Sequence, residues 1–347
     1  MSDAADQRWM AAARRLALWN SGRTGGNPSV GALLVMGGRV VGRGVTADGG
    51  RPHAERVALD DAGGAARGAT AYVTLEPCAH HGLTPPCAEA LRDAGVSRVV
   101  FGLGDPDVRV RGAGVAILEA GGVDVNCVSN HAIADDLSAY LVTRREGRAG
   151  VTLKLAMSRD GFIGRAGEEV AITGVLARAY GHRMRANHHG ILVGRGTVEA
   201  DDPDLTCRLS GLEGRSPHRF VLGSSLADTS RLAQTAGKVP VTLVGDGEAP
   251  PGVARIATGG AFDPRGFLEI LAGQGVQSLL VEGGARVAAA FLDAGVVDSL
   301  ALFVGNRELR RGIRSPLTPD TVPLGFASRR VVRLGDDMLH LFAREGE

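Results

Sequence analysis

The sequence has almost no excess charge of either sign. Lysine plus arginine number 39 against 38 aspartate plus glutamate, a formal net charge of +1 over 347 residues. Binding a nucleic-acid backbone takes a basic field, so the balance argues against a nucleic-acid editing or binding protein. Aromatic residues are scarce at 4%, too few for base-stacking platforms. No uninterrupted apolar run reaches the ~20 residues of a membrane span. Met1 to Gln7 is polar and lacks the apolar core of a secretion signal. There are only four cysteines, and nothing points to an oxidising compartment, so the expectation is a cytoplasmic protein without a disulfide framework. Glycine is abundant at 51 residues, but it is spread through turns without a collagen-like or linker-like period. The length exceeds one ordinary core, and a hydrophobic content of 44% suffices for two.

The chemistry is concentrated in one stretch. His53-Ala54-Glu55 is followed by Thr74-Leu75-Glu76-Pro77-Cys78 and then by Cys87. Together these supply one imidazole, two thiols and a carboxylate that need not be a ligand. Catalytic zinc takes three protein ligands and keeps a fourth position for water, and metal binding makes that water acidic near neutral pH. This is the zinc-deaminase pattern, in which the Glu moves protons from outside the metal shell. The insert Ala79 to Pro86 separates the two cysteines, where the general pattern is a tighter C-x-x-C. A lone His or Cys is usually an ordinary core residue, but four such residues in this order are not. A structural zinc module would need a fourth protein ligand, and only three are offered. Cys127 and Cys207 remain and are expected to be single buried thiols.

In chain order, Asp6 to Asn20 reads as a helix with Trp9, Met10, Ala13, Leu16 and Ala17 on one face. Residues 30–35 and 39–45 read as a hairpin around Gly37-Gly38. A helix opens at His53 and runs to about Ala62, and its positive end favours thiolate and hydroxide forms. A strand over 71–75 follows, with Pro77 suited to a first helical turn. Next come a helix over 87–94, a strand over 98–102, a helix over 114–120, a strand over 123–128, and a helix capped by Ser129 or Asn130 running through Leu141. This is an alternating α/β pattern. The charged stretch Arg144 to Gly150 is expected to be flexible and to mark a boundary, giving domains 1–145 and 150–347 with a linker at 146–149. In the second half, Lys154 lies in a strand over 151–157, where a lysine is more often solvent-facing than functional. Gly194 and Gly196 after the strand 190–193 are a weak ligand signal, since a third glycine is missing. The strand 278–281 ends in Gly283-Gly284 at a helix start, a phosphate-binding geometry, although a plain tight turn has equal weight.

Pro52-His53-Ala54-Glu55, Ala69 to Cys78, His80-His81-Gly82 and Thr84-Pro85-Pro86-Cys87 closely resemble the deaminase half of the bifunctional riboflavin-biosynthesis deaminase/reductase family. Ile191 to Gly194, Gly196-Thr197-Val198, Ala200 to Pro203, Leu205-Thr206 and Val281 to Gly284 resemble its reductase half. The resemblance implies a cytidine-deaminase-like α/β/α domain followed by a dihydrofolate-reductase-like α/β domain. It implies one zinc on His53, Cys78 and Cys87, with Glu55 as proton shuttle. The substrate would be a diaminopyrimidinone carrying a ribosylamino 5′-phosphate, contacted by Asn27, His80 and His81. Zinc-hydroxide would attack its amino-bearing carbon and release ammonia. NADPH would then reduce the opened ribosyl group to ribityl, with Lys154 as catalytic residue. Arg185, Leu205, Arg208 and Glu282 would be on the substrate side, and Ala156, Thr197, Asp201, Ser224, Gly284, Ala285 and Arg286 on the cofactor side. A homo-oligomer is expected, with neither nucleic acid nor membrane as partner. The chain departs from the family in having Gly26 before Asn27-Pro28, Leu83 where Arg or Lys is usual, Glu169-Val170-Ala171 in place of Ser-x-Trp, Gly223 in place of Asp, and a different run from Gly305 to Pro319. The alternative expectation is an active deaminase whose C-terminal half is impaired or only a binding or oligomerisation module.

Overall fold

A computed structural model describes residues 3–81, 85–107, 111–165, 168 and 170–345. The chain divides into two compact units, 1–147 and 148–347.

In the first unit, α1 (Asp3–Ala17) and one 3-10 turn (Leu18–Asn20) lead to β1 (Gly31–Met36), β2 (Arg39–Val45), α2 (Ala54–Ala62), β3 (Thr70–Val73), α3 (Cys87–Asp93), β4 (Arg98–Phe101), α4 (Ala113–Ala120), β5 (Asp124–Cys127), α5 (His131–Asp136) and α6 (Ser138–Glu146). The sheet order is β2-β1-β3-β4-β5. β1 is antiparallel to both neighbours, and β3, β4 and β5 are parallel. Glycines set the layers. A Cβ on Gly31 would strike the α1 backbone at Ala13, whereas a Cβ on Gly44 would strike the α2 backbone at Ala54 and Ala58. Gly44 pairs with Ala32, the neighbour of Gly31, and successive residues of a strand face opposite sides. α1 and α2 therefore cover opposite faces, close enough that only glycine fits beneath them.

In the second unit the elements are β6 (Gly150–Met157), β7 (Phe162–Gly164), α7 (Val175–Ala186), β8 (Gly190–Gly194), α8 (Arg195–Asp201), β9 (His218–Leu222), α9 (Arg231–Gln234), β10 (Val241–Val244), β11 (Ala254–Ile256), α10 (Pro264–Gly273), β12 (Ser278–Val281), α11 (Ala285–Asp293), β13 (Ser299–Val304), β14 (Ile313–Arg314), β15 (Phe326–Leu334) and β16 (Asp337–Arg344). The nine-stranded sheet runs β11-β10-β9-β8-β12-β6-β13-β16-β15. It is parallel from β11 to β13, and β16 and β15 then add an antiparallel edge. Central strands such as β8 and β12 are buried along their whole length, as a parallel sheet covered on both faces requires. β7 and β14 form a separate small pair.

Several expectations need correction. Glu76-Pro77-Cys78 is irregular and not a helix start, because the Glu76 carboxylate is held by the Gly112 amide at 2.8 Å and the Asp105 amide at 3.3 Å. The helix expected from Asn130 through Leu141 is two helices, broken at Leu137, although Asn130 does cap the first by accepting from the Ala132 amide. The stretch 146–149 is not a flexible linker. α6 runs through Glu146, and Arg148 is 1% exposed. The Arg148 guanidinium donates to both Asp298 oxygens at 2.7 and 2.8 Å, so a charge that reads as solvated is instead paired in the interior of the second unit. Cys207 is buried as expected, but Cys127 is exposed on the edge strand β5.

Candidate active sites

In the first unit, His53 occupies the N-cap of α2 in extended conformation, Glu55 lies in that helix's first turn, and Cys87 is the first residue of α3. Cys78 comes from the irregular segment after β3. His53 Nδ1 stands 3.6 Å from Cys78 Sγ and 3.5 Å from Cys87 Sγ, and the three ligand atoms lie within 4.8 Å of one another. A tetrahedral zinc with its usual Zn–N and Zn–S bonds separates N from S by about 3.6 Å, so the three residues fit the ion. The Cys87 amide also donates to Cys78 Sγ at 3.3 Å. The Cys78 thiol is pulled down to about 4 by its hydrogen bonds with Cys87 and His53, against burial, while Cys87 is pushed up by its Cys78 neighbour and by burial. Glu55 is 4% exposed. Burial, then the charge of Cys78, pushes its carboxyl up to about 7, where it can both hold and release a proton at working pH.

These groups open into a pocket of about 80 Å³ lined by Asn27, His53, Glu55, Cys78 and His80 together with Thr46, Glu76, Asp105, Asp107, Tyr140 and Arg144. Gly50, at φ +89°, leaves room for the Asn27 amide, which a Cβ there would hit. His81 does not line this pocket. It is 72% exposed and reaches Glu89 at 3.7 Å. Leu83, with Gly82 and Thr84 of the same insert, lies outside the described residues. Sequence reasoning missed Asp105, whose carboxylate accepts from Tyr140 Oη at 3.1 Å. It also missed Arg144, which stacks over the Tyr140 ring at 5.2 Å. The charge at 144 was visible, but it read as the start of a flexible boundary stretch.

In the second unit a cleft of about 1230 Å³ opens at the carboxyl ends of the parallel strands, the usual ligand position in such sheets. Lys154, Ala156, Arg185, Thr197, Asp201, Arg208, Ser224, Glu282, Gly284, Ala285 and Arg286 all line it. Leu205 does not; it is 2% exposed, with its backbone at φ 55° in the left-handed region. Lys154 is on the cleft face of β6, while its neighbours Leu153 and Leu155 face the core. Glu282 receives Arg185 Nε at 2.9 Å, Arg185 Nη2 at 3.0 Å and Lys154 Nζ at 3.4 Å. Burial alone would raise the Glu282 carboxyl, but Lys154 and Arg185 outweigh it and hold the group well below the usual carboxylate range. The lysine is thus a fixed, paired cation and not a solvent-facing strand residue. A Cβ on Gly194 or Gly283 would meet Val287 at 2.8 and 2.5 Å respectively, so glycine is what brings α11 close against β8 and β12. The resulting cradle, with the first turn of α11 facing it, fits a dinucleotide phosphate. Val170 and Ala171, at the departure from Ser-x-Trp, line the cleft with Ile172 and Thr173, and Glu169 lies outside the described residues.

Residues 3–103 match the cytidine and deoxycytidylate deaminase zinc-binding region, and residues 149–307 match the RibD C-terminal domain. The riboflavin biosynthesis protein RibD of Escherichia coli K12 is 37% identical over 365 residues, covering 97% of this chain and 99% of its own. The chain belongs to the RibD family. RibD of Mycobacterium tuberculosis H37Rv is 39% identical over 82% of this chain and 80% of its own. Among solved structures, Acinetobacter baumannii RibD (form 1) superposes with a TM-score of 0.84 at 33% identity, covering 98% of this chain and 99% of its own. The diaminohydroxyphosphoribosylaminopyrimidine deaminase/5-amino-6-(5-phosphoribosylamino)uracil reductase of Thermotoga maritima gives 0.86 at 31%, with the same coverage. The expected fold holds: a cytidine-deaminase-like unit is followed by a RibD reductase unit of dihydrofolate-reductase type. The chain is a bifunctional RibD riboflavin-biosynthesis enzyme that joins a zinc-dependent deaminase to an NADPH-dependent reductase. Nothing favours a second half that serves only for binding. No helix among the described residues is long and apolar enough to cross a membrane.

Proposed function

We propose that residues 1–145 deaminate 2,5-diamino-6-(5-phosphoribosylamino)pyrimidin-4(3H)-one and that residues 150–347 reduce the ribosyl side chain of the product to ribityl. The observation that carries the reading is the His53, Cys78 and Cys87 ligand set, with the buried Glu55 carboxyl in the first turn of the helix that His53 caps. Zinc supplies the Lewis acidity that makes water nucleophilic near neutral pH. Glu55 takes the proton from the attacking water and returns it to the departing amine. Asn27 and His80 orient the pyrimidine ring in the pocket, where Asp105 and Tyr140 form a fixed polar wall. In the cleft, NADPH supplies the hydride. Lys154, held in place by Glu282 as Arg185 also is, would supply the proton that the nitrogen on C1′ takes up on reduction, while Arg208 would hold the substrate's anionic end. The balanced charge supports small-molecule substrates over nucleic acid. A cytoplasmic homo-oligomer is part of the same proposal, and the four free cysteines suit a reducing compartment.

The test is ammonia release from the diaminopyrimidinone phosphate by the zinc-loaded protein, with and without NADPH. Glu55→Ala should abolish ammonia release while zinc content stays near one per chain. Lys154→Ala should release ammonia at the wild-type rate and form no reduced product. Ammonia release by Glu55→Ala at more than about a hundredth of the wild-type rate would contradict the proton-shuttle role.

A further inference from the structure

The reductase cleft contains a cation that the reduction itself does not use. Lys154 and Arg185 are committed to Glu282, but Arg195 is elsewhere in the cleft, between Gly194 and Gly196 at the end of β8. Among the described residues its ion pair is with Glu199, Nη1 to Oε1 at 3.2 Å, with the two side chains 46% and 60% exposed. An exposed pair of this kind is weak and gives way to a stronger anion.

The position of the Arg195 stem depends on Gly223, at the end of β9. A Cβ on Gly223 would stand 2.6 Å from Arg195 Cβ and 3.4 Å from its Cδ. Gly223 is not among the positive-φ glycines, so the backbone does not call for glycine there; the space above it does. Nor can Gly223 retreat. Gly245 and Gly247 lie so close behind that a Cβ on either would strike the Gly223 or Ser224 carbonyl. Ser224 lines the cleft beside the arginine. Arg286 lies on the other side of Gly196, with Nη2 3.9 Å from where a Cβ there would be. Around Gly196 the cleft wall therefore carries Arg286 in the first turn of α11 and Arg195 over Gly223, apart from Arg165, Arg178 and Arg208 elsewhere in its lining.

NADPH carries two phosphate groups of different kinds, a pyrophosphate and a monoester on the adenosine ribose. The N-terminal turn of α11, with Arg286, suits the pyrophosphate. Arg195 and Ser224, adjacent at the ends of β8 and β9, are placed for the monoester, which carries about −1.5 to −2 charges at pH 7. We propose that Arg195, laid over Gly223, is the residue that recognises the ribose 2′-phosphate and makes this reductase select NADPH over NADH. The inference rests on the reductase reading above and explains one departure in the sequence. An Asp at 223 would displace the Arg195 stem and set a negative charge beside the phosphate, and glycine removes both obstacles.

Calorimetric titration of the zinc-loaded full chain with NADPH, NADH, adenosine 2′,5′-bisphosphate and 5′-AMP tests the proposal. The wild type should bind the bisphosphate at least about tenfold more tightly than 5′-AMP. Arg195→Gln should weaken NADPH and the bisphosphate by about ten- to a hundredfold, the loss of a charge-assisted hydrogen bond, and leave NADH and 5′-AMP within about twofold. Gly223→Asp should act in the same direction, with NADH and 5′-AMP binding within about twofold of wild type showing that the cleft is folded. Glu199→Gln, which frees the guanidinium, should tighten NADPH and leave NADH unchanged. If Arg195→Gln weakens the two dinucleotides equally, or weakens neither, the proposal is overturned. If the wild type binds neither dinucleotide, the reductase reading itself fails.

Discussion

Glu282→Gln is the most informative single change in the second unit. It alters no shape, but it removes the negative charge that holds Arg185 at 2.9 and 3.0 Å and Lys154 at 3.4 Å. Glu282 is 8% exposed, Arg185 16% and Lys154 21%, so solvent screens the freed cations only in part. Breaking a buried pair from one side costs about 3–5 kcal/mol, and the partial exposure favours the lower end, about 3 kcal/mol. At a typical urea slope of about 2–3 kcal/mol/M, the midpoint of the second unit should fall by about 1–1.5 M. Both tryptophans, Trp9 and Trp19, are in the first unit. Tryptophan fluorescence should therefore unfold as in the wild type while far-UV dichroism shows the lost transition. The pH dependence has a definite sign. The folded Glu282 carboxyl titrates below its ordinary value of 4.5, so its contribution is complete above that pH and is lost as the pH falls through the folded value. The gap between wild type and variant should stay constant from pH 7 to about 5 and close below it. A dichroism midpoint within about 0.3 M of wild type at pH 7 would refute the reasoning.

Two further outcomes are expected. Gly44→Ala should push α2 off β2, because the new Cβ would meet the backbone at Ala54 and Ala58. Overpacking of this kind costs about 1–3 kcal/mol or more, and zinc per chain, measured by atomic absorption, should fall with it because His53 caps that helix. Burial, then the charge of His188, pushes His189 from 6.5 down to about 4, and its ring bonds Ser278 Oγ at 2.8 Å. The unfolded chain therefore binds the extra proton first, and the second unit should lose up to about 3 kcal/mol as pH falls from 6.5 to 4. His189→Gln should flatten that slope in urea titrations at stepped pH, and an unchanged slope would count against the assignment.

Two of the three metal ligands and the proton shuttle were legible in the sequence because each is tied to a local signal, whereas Cys78 stands in an irregular segment. His53 precedes a helix, Cys87 begins one, and Glu55 follows His53 by two residues. Strand alternation and glycine punctuation located most elements for the same reason: they depend on neighbours in the chain. Alternation in β6 could say that Lys154 points away from Leu153 and Leu155, but not what it points toward. That was decided by Glu282, 128 residues away, and by Arg185 on a separate helix. Arg148 shows the same limit. Within a run of charges it read as part of a flexible linker, and only the arrival of Asp298, 150 residues on, made burial of its guanidinium tolerable. Asp105 likewise meets Tyr140 and Arg144, neighbours four apart on α6, in the deaminase pocket from a segment that no local pattern links to theirs. Sequence spacing alone determines chemistry carried within a turn or two of backbone, because covalent geometry fixes it there. Which distant charges become partners is decided only when the sheet brings their strands together, since an ion pair is made by proximity in space.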